Sequence, residues 1–326
     1  MPISRRTVLT TLAAAPTLAL LTRRTRAAYP DRPIRLIVPF AAGGNADFVA
    51  RHTGEGMSQL LGQPIVIEFR TGAGGSLGAE QAARSAPDGY TLFTGSNGPL
   101  TVNPFVQAKL NYDPLKDFVA IGLANLAPHC IAVHQSVPAK TLQELIAMSK
   151  DKPVNIGTAG AGSATHMTLA RFNAATGAKF EHVPYRGGGA LVPDLLSGSI
   201  TGAMTEVSTV LSHHGDKVRI IGVASAKRSP KVPEVATMIE QGVKDFTAAS
   251  YVGLLAPAAT PAQIVKALEG ALIKALSGKE TQDKFLNTGA ELVPDALMTS
   301  KGFGDYIKRE YDLAGEAAKI AGLKPA

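Results

Sequence analysis

Apolar positions along the chain fall into short blocks separated by glycine-bearing turns. Ile34-Arg-Leu-Ile-Val38 is a compact apolar run ended by Pro39, with the length and composition of a strand. After the turn Ala41-Ala-Gly-Gly-Asn45, the stretch from Asp47 to Leu61 is helix-like and stops at Gly62, a residue suited to the left-handed end of a helix. Ile65–Phe69 and Tyr90–Thr94 read as further strands. Between them lie the glycine-rich turn Thr71 to Gly78, a helical stretch from Ala79 to Ser85, and the turn Pro87-Asp-Gly89. The same alternation then returns. Thr141 with Glu144 forms a capping box, and Asn155-Ile-Gly157 ends a short strand. Thr158-Ala-Gly-Ala-Gly-Ser163 is a third glycine-rich turn, followed by a helix from about Thr165 to Thr176. Phe180–Val183, Ser199–Met204 and Val218–Ala224 read as strands, and Leu191 to Leu196 as a short helix stopped by Gly198. Thr260 is expected to cap a helix whose first residue is Pro261, with Ile264, Val265, Leu268, Leu272 and Leu276 on its apolar face. Strands alternating with helices at this spacing predict an α/β fold with a parallel sheet covered on both faces.

Two short apolar runs, Ile131-Ala-Val133 and Tyr251-Val-Gly-Leu-Leu255, stand between the two sets of elements. If both cross between domains, residues 28–128 and 251–326 form lobe one and residues 129–250 form lobe two. The length of 326 residues suits about two domains, each large enough to bury a core. An apolar fraction of 45% and a charged fraction of 18% exclude a disordered chain. After residue 27 there is no apolar run of the roughly 18 residues that a membrane helix needs. The single cysteine, Cys130, excludes a disulfide scaffold, and its apolar neighbours predict a buried, inert thiol.

The formal charge of +7 invites a nucleic-acid partner until the N-terminus is inspected. A charged start with Arg5 and Arg6, an apolar stretch from Val8 to Leu21 and a small-residue exit at Ala27 have the layout of an export signal. Ser4-Arg-Arg-Thr-Val-Leu9 also resembles a twin-arginine signal. Cleavage near Ala27 removes five arginines and no acids, which leaves 28 basic against 26 acidic residues, a formal +2. The electrostatic case for nucleic acid then disappears, and a soluble periplasmic protein is expected.

The candidate chemistry lies in the glycine turns, each placed between a strand and a helix. Such a turn leaves main-chain N–H groups unpaired where the helix dipole adds positive charge. That makes an anion site without lysine or arginine, at the strand ends where open parallel sheets take ligands. The expectation is a small anion, carboxylate or phosphate, held by amides from both lobes. Gly74-Gly-Ser76-Leu-Gly78 matches the nucleophile elbow of an α/β hydrolase, so a hydrolase using Ser76 is the competing reading; the test is whether a histidine and an aspartate reach its side chain. Gly72-Ala-Gly74 and Gly160-Ala-Gly162 are only fragments of a dinucleotide fingerprint. The histidines show no metal-ligand spacing; His213 and His214 suit a surface loop, and neither metal nor cofactor is expected. Asp47 either touches ligand or reaches back to a loop N–H. His166 and Arg186 are open between a ligand contact and support of their own loops.

Tyr29-Pro-Asp-Arg-Pro-Ile-Arg-Leu-Ile-Val-Pro-Phe-Ala-Ala-Gly-Gly-Asn-Ala-Asp47, with Ala50-Arg51, closely resembles the opening of the Bug family, the periplasmic substrate-binding proteins of tripartite tricarboxylate transporters. Further matching blocks are Pro87 to Leu92, Asn103-Pro104, Tyr112 to Pro114, Asp117-Phe118, Gly157 to Ser163 with His166, His182 to Gly187, Ala256-Pro257 and Thr260-Pro261. The likeness spans nearly the whole mature chain. It implies a two-lobed, type II-like periplasmic-binding-protein fold with two crossover strands, a monomer closing on a small carboxylate, with membrane transporter subunits as partners and no catalysis. The family's first ligand loop maps to Phe40, Ala41, Ala42, Gly43, Gly44, Asn45, Ala46 and Asp47, and its second to Thr158, Ala159, Gly160, Ala161, Gly162 and Ser163. The turn Gly95-Ser96-Asn97 is expected at the same mouth. Glu206 stands where the family often has Asp in a Met-Phe-Asp block, and Tyr251 where tryptophan is common, so pocket shape and crossover packing differ from the family pattern.

Overall fold

The buried run Ile34–Val38 forms β1, an inner strand of the first of two sheets. A computed structural model describes residues 29–320; the expected leader lies outside them. The helices and strands that follow are α1 (Asn45–Leu61), β2 (Ile65–Phe69), α2 (Ser76–Ala83), β3 (Thr91–Ser96), α3 (Asn103–Val106) and β4 (Phe118–His134). Then come α4 (Leu142–Asp151), β5 (Val154–Thr158), α5 (Ala164–Thr176), β6 (Phe180–Pro184), α6 (Gly188–Ser197), β7 (Gly202–Glu206), α7 (Val207–Val210) and β8 (Val218–Val223). The chain continues through β9 (Ala249–Pro257), α8 (Ala262–Ser277), α9 (Lys279–Asn287) and α10 (Ser300–Ile320). Among the described residues no helix is long and apolar enough to cross a membrane.

The strands run β2-β1-β3-β9-β4 in one sheet and continue through β4 to β7-β5-β6, with β8 on the other side of β4. Pairing within β1–β2, β1–β3, β5–β6 and β5–β7 is parallel, as the alternation of strands and helices predicts. The all-parallel expectation fails at the middle, because β4 and β9 are antiparallel to each other and to their neighbours. The reason is length. β4 is not the three-residue run at Ile131 but a 17-residue strand. Its first part pairs with β9 from Phe118↔Pro257 to Pro128↔Ala249. From His129 onward it pairs with β7 and β8 instead.

Alternation along β4 explains why the second sheet is apolar on both faces. Ile131 and Val133 enter one cluster with Phe172, Met204 and Met238, while Cys130 and Ala132 enter another with Leu191, Leu195 and Ile220. Cys130 is buried and free, and burial pushes its thiol pKa well up. The first sheet's core gathers β1, β3, the start of β4, β9, α8 and α10 around Leu92, Phe93, Ile121, Leu272 and Phe303. Local signals set most helix ends. Gly62 and Gly198 close α1 and α6 at φ 70° and 77°, and the Glu144 N–H donates to Thr141 Oγ1 at 3.2 Å. Thr260 does not cap α8. Pro261 occupies the cap position, and the Thr260 hydroxyl instead donates to the Pro257 carbonyl at 2.7 Å.

His129 sits where the chain passes between sheets. Its N–H donates to the Ala248 carbonyl at 2.9 Å, and its carbonyl accepts from Ala224 N at 2.7 Å. The buried ring contacts Thr168 Oγ1 through Nδ1 at 2.8 Å and Ser250 Oγ through Nε2 at 2.9 Å. In β6, His182 Nε2 meets Thr158 Oγ1 at 2.7 Å, and its ring stacks on His166 with centroids 4.0 Å apart. Burial lowers the pKa of all three imidazoles, with His182 pushed down to about 4 by burial and the adjacent His166.

Two outcomes follow from this packing. Phe172 is fully buried between Phe180 and Phe246, each at a centroid distance of 5.7 Å, so Phe172→Ala lowers stability by about 3–5 kcal/mol in urea unfolding. An unfolded histidine titrates at about 6.5, so the unfolded chain binds more protons than the folded one below that value. The histidine contribution to stability is therefore complete above about pH 6.5 and falls as pH drops toward about 4. His182→Asn makes that decline shallower; an unchanged slope in urea midpoints across this range would show that His182 does not contribute.

Candidate ligand-binding site

Gly44 caps α1 in an extended conformation and offers no side chain to the helix start. The first hydrogen bond of α1 runs from Phe48 N to Gly44 O, so the amides of Asn45, Ala46 and Asp47 have no intrahelical acceptor. Asp47 shapes the loop: its Oδ2 accepts from Gly43 N at 2.8 Å, and its Oδ1 lies 2.7 Å from Arg51 Nε. Across from it, Ser163 caps α5 by accepting His166 N at 3.2 Å. The loop before it satisfies much of itself. Ala159 N donates to Thr165 Oγ1, Gly160 N to Thr158 Oγ1, and Gly162 N to His166 Nδ1. At the start of α5 the Ala164 and Thr165 amides have no intrahelical acceptor.

Both helix starts face one small cavity of about 30 Å³, lined by Phe40, Gly44, Asn45, Ala46, Ser96, Ala159, Ser163, Ala164, Thr165, Gly188, Glu206, Ser250 and Val252. Asn45 is buried there with Nδ2 lacking any hydrogen-bond partner, a donor held ready for an acceptor. Its Oδ1 accepts from Ser208 Oγ at 3.4 Å, across the cleft. Ser250 Oγ donates to Glu206 Oε1 at 2.6 Å. That uses its single proton, so the 2.9 Å contact with His129 requires the imidazole to donate from Nε2; burial keeps the ring neutral, and Nδ1 then accepts Thr168's proton. Thr168, His129 and Ser250 thus form a directed relay ending on a carboxylate in the cavity wall.

Glycines let the two halves touch along their main chains. A Cβ at Gly189 would fall 2.0 Å from the Ala42 carbonyl oxygen, and one at Gly74, already at φ 58°, would fall 2.6 Å from the Ala161 oxygen. Ala41 N donates to the Arg186 carbonyl at 2.9 Å beside them. The second glycine turn is thus a contact across the cleft and contributes no residue to the cavity lining. Its Ser76 hydroxyl accepts from Asn103 Nδ2 at 2.7 Å and meets Tyr112 Oη at 3.3 Å. Among the described residues neither an imidazole nor a carboxylate hydrogen-bonds the Ser76 hydroxyl, which ties the turn to Asn103 and Tyr112.

The cavity gathers Phe40, Gly44, Asn45, Ala46, Ser96, Ala159, Ser163 and Glu206 from the residues singled out in the sequence. Ala41, Ala42 and Gly43 serve the loop and the cleft contact, and Thr158, Gly160, Ala161 and Gly162 shape the second turn. Asp47 reaches back to Gly43, and His166 holds Gly162 N. Gly95 is not at a mouth; it lies within β3, where a Cβ would strike Leu255. Asn97 faces the crossover, donating to Ala249 O at 3.4 Å and accepting Tyr251 N at 2.9 Å. Arg186 contributes its carbonyl, while its exposed side chain is absent from the lining. Ala164, Thr165, Gly188, Ser250 and Val252 were not foreseen. The glycines at 187–189 were a signal for a third helix start; Ser250 carried none, because only folding sets it beside Glu206. His214 Nε2 pairs with Glu234 at 2.9 Å, away from the cavity.

Solved structures of several similar proteins share this architecture. Residues 49–316 match the family described as Tripartite tricarboxylate transporter family receptor (TctC). Protein BugT of Bordetella pertussis is 34% identical over 286 residues, which is 86% of this chain and 88% of that protein. The solved structure of periplasmic binding protein BugD superposes with a TM-score of 0.88 at 30% identity, covering 91% of this chain and all of the other (100%). MatC from Rhodopseudomonas palustris, solved with bound malate, has a TM-score of 0.84 at 29% identity, covering 89% of this chain and 100% of that one. An R. palustris protein solved with adipate has a TM-score of 0.85 at 29% identity, with 91% and 100% covered. Two sheets joined by β4, with helix starts facing a shared cavity, are accordingly the periplasmic-binding-protein fold, and the chain belongs to the tripartite tricarboxylate transporter receptor family, together with the Bug proteins.

Proposed function

We propose that this protein is an exported periplasmic receptor that captures a small organic carboxylate and delivers it to a tripartite tricarboxylate-type membrane transporter. Lobe one comprises residues 28–128 and 251–326, and lobe two residues 129–250. The observation that carries the reading is the convergence of the α1 and α5 starts, with the unpartnered Asn45 amide, on one cavity. Amides fixed at helix starts suit a carboxylate oxygen and need no counter-cation. Malate and adipate in the relatives' structures support the same ligand class.

Capture follows from where the contacts lie. An acid bound by α1 alone gains the α5 and Gly188 contacts only when the lobes meet, so ligand shifts the population toward closure. The passage of β4 through His129 and the start of β9 provide the hinge. The protein makes and breaks no bond in this scheme, acts as a monomer, and needs no catalytic residue or metal.

Calorimetry of the mature chain against a panel of carboxylates tests this directly. Binding is expected with at least one member, and Asn45→Ala weakens it by about tenfold or more. Absence of heat with every carboxylate would refute the proposal. Closure has its own test at Gly189. Alanine there is a better helix former by about 1 kcal/mol, so lobe two keeps its stability, but the added carbon meets Ala42. Gly189→Ala should bind at least about tenfold more weakly and lose the ligand-induced compaction seen by small-angle scattering. Unaltered compaction would remove the cleft glycines from the mechanism.

A further inference from the structure

We propose that the acid taken by this cleft carries a protonated amine, and that Glu206 is the residue that receives it. This rests on the carboxylate-receptor reading and narrows it to zwitterions. Glu206 is 7% exposed and lines the cavity. Its Oε1 accepts from Ser250 at 2.6 Å, and its Oε2 accepts from Thr205 at 3.2 Å and, at a long 3.5 Å, from Thr209. A carboxylate has about four acceptor positions, so one remains for a further donor.

Among the described residues no lysine or arginine lines the cavity, and Glu206 is its one charged side chain. The nearest imidazole is of no help as a cation. His129 is turned through Ser250 and wholly buried, and burial pushes its pKa down to about 4, so the ring is neutral and its Nδ1 accepts from Thr168. The wall therefore offers two opposite tasks around one cavity: amide donors and Asn45 Nδ2 for an anion, and a hydroxyl-braced carboxylate for a cation. An acid with no amine leaves Glu206 without a cationic partner and sets a like charge close beside it in a space with little water to screen the repulsion. A second carboxylate on the ligand worsens this. An ammonium group next to the carboxylate satisfies both walls through charge-assisted hydrogen bonds.

The test is calorimetry on the mature chain with matched pairs: succinate and aspartate, butyrate and 4-aminobutyrate, propionate and β-alanine, with malate and adipate added. The expected result is that, in the pair that binds, the aminated member is tighter by about tenfold or more. Glu206→Gln abolishes that preference. If the plain acids or diacids bind the wild-type chain as tightly as their amines, or if the glutamine variant keeps the preference, the amine proposal fails while the carboxylate reading stands. If neither plain nor aminated acids bind, both fail. The wild-type comparison needs no variant, so a folding defect in Glu206→Gln cannot mask the outcome.

Discussion

The first amides of an α-helix have no acceptor within it, and a buried helix start must find one elsewhere. In this protein α1 begins at a glycine that supplies no capping oxygen, while α5 begins at Ser163, which satisfies one donor and leaves the first two. Much of the surrounding structure serves to bring these starts together. The parallel strands β1 and β5 deliver their loops to the same edge of their sheets, and β4 joins the sheets so that the edges face each other. A charged side chain is not required to attract an acid when oriented main-chain dipoles already do so.

Close facing of two polar main chains has a steric requirement. At Gly189, and again at Gly74, any side chain would overlap the opposing carbonyl. Glycine is therefore used on both sides of the cleft for different ends. Some residues shape loops through positive φ, whereas others let one half approach the other. The turn around Ser76 does both, with Gly74 at φ 58° against the Ala161 carbonyl and with Asn103 and Tyr112 fixing it. A pattern that suggests a nucleophile in one dimension is a contact surface in three, because among the described residues its hydroxyl pairs with Asn103 and Tyr112 and with no imidazole or carboxylate.

The crossover and the site are one polar unit. His129 belongs to β4 at the point where its pairing partner changes, Ser250 to β9, Thr168 to α5 and Glu206 to the end of β7. Each is buried, and each satisfies the next, which suits a region that must bend without exposing unpaired groups. A change in lobe angle moves the ends of this relay together with the cavity wall.

Periodicity along the chain determined the α/β class and most helices and strands, because a strand's apolar run and a helix's glycine stop are local properties. It also located the two loops that face the cavity, since a glycine-rich turn before a helix leaves unpaired amides wherever it folds. The length and direction of β4 were not legible. Its apolar residues fit a strand anywhere, and only pairing with β9 and then with β7 and β8 defines it as the link between sheets. Nor did the chain order distinguish amides consumed within the Thr158–Ser163 loop from those left open at Ala164 and Thr165. Tertiary structure alone set Ser250 against Glu206 and Gly189 against Ala42, because these partners are 44 and 147 residues apart and meet only when two separately formed sheets are joined.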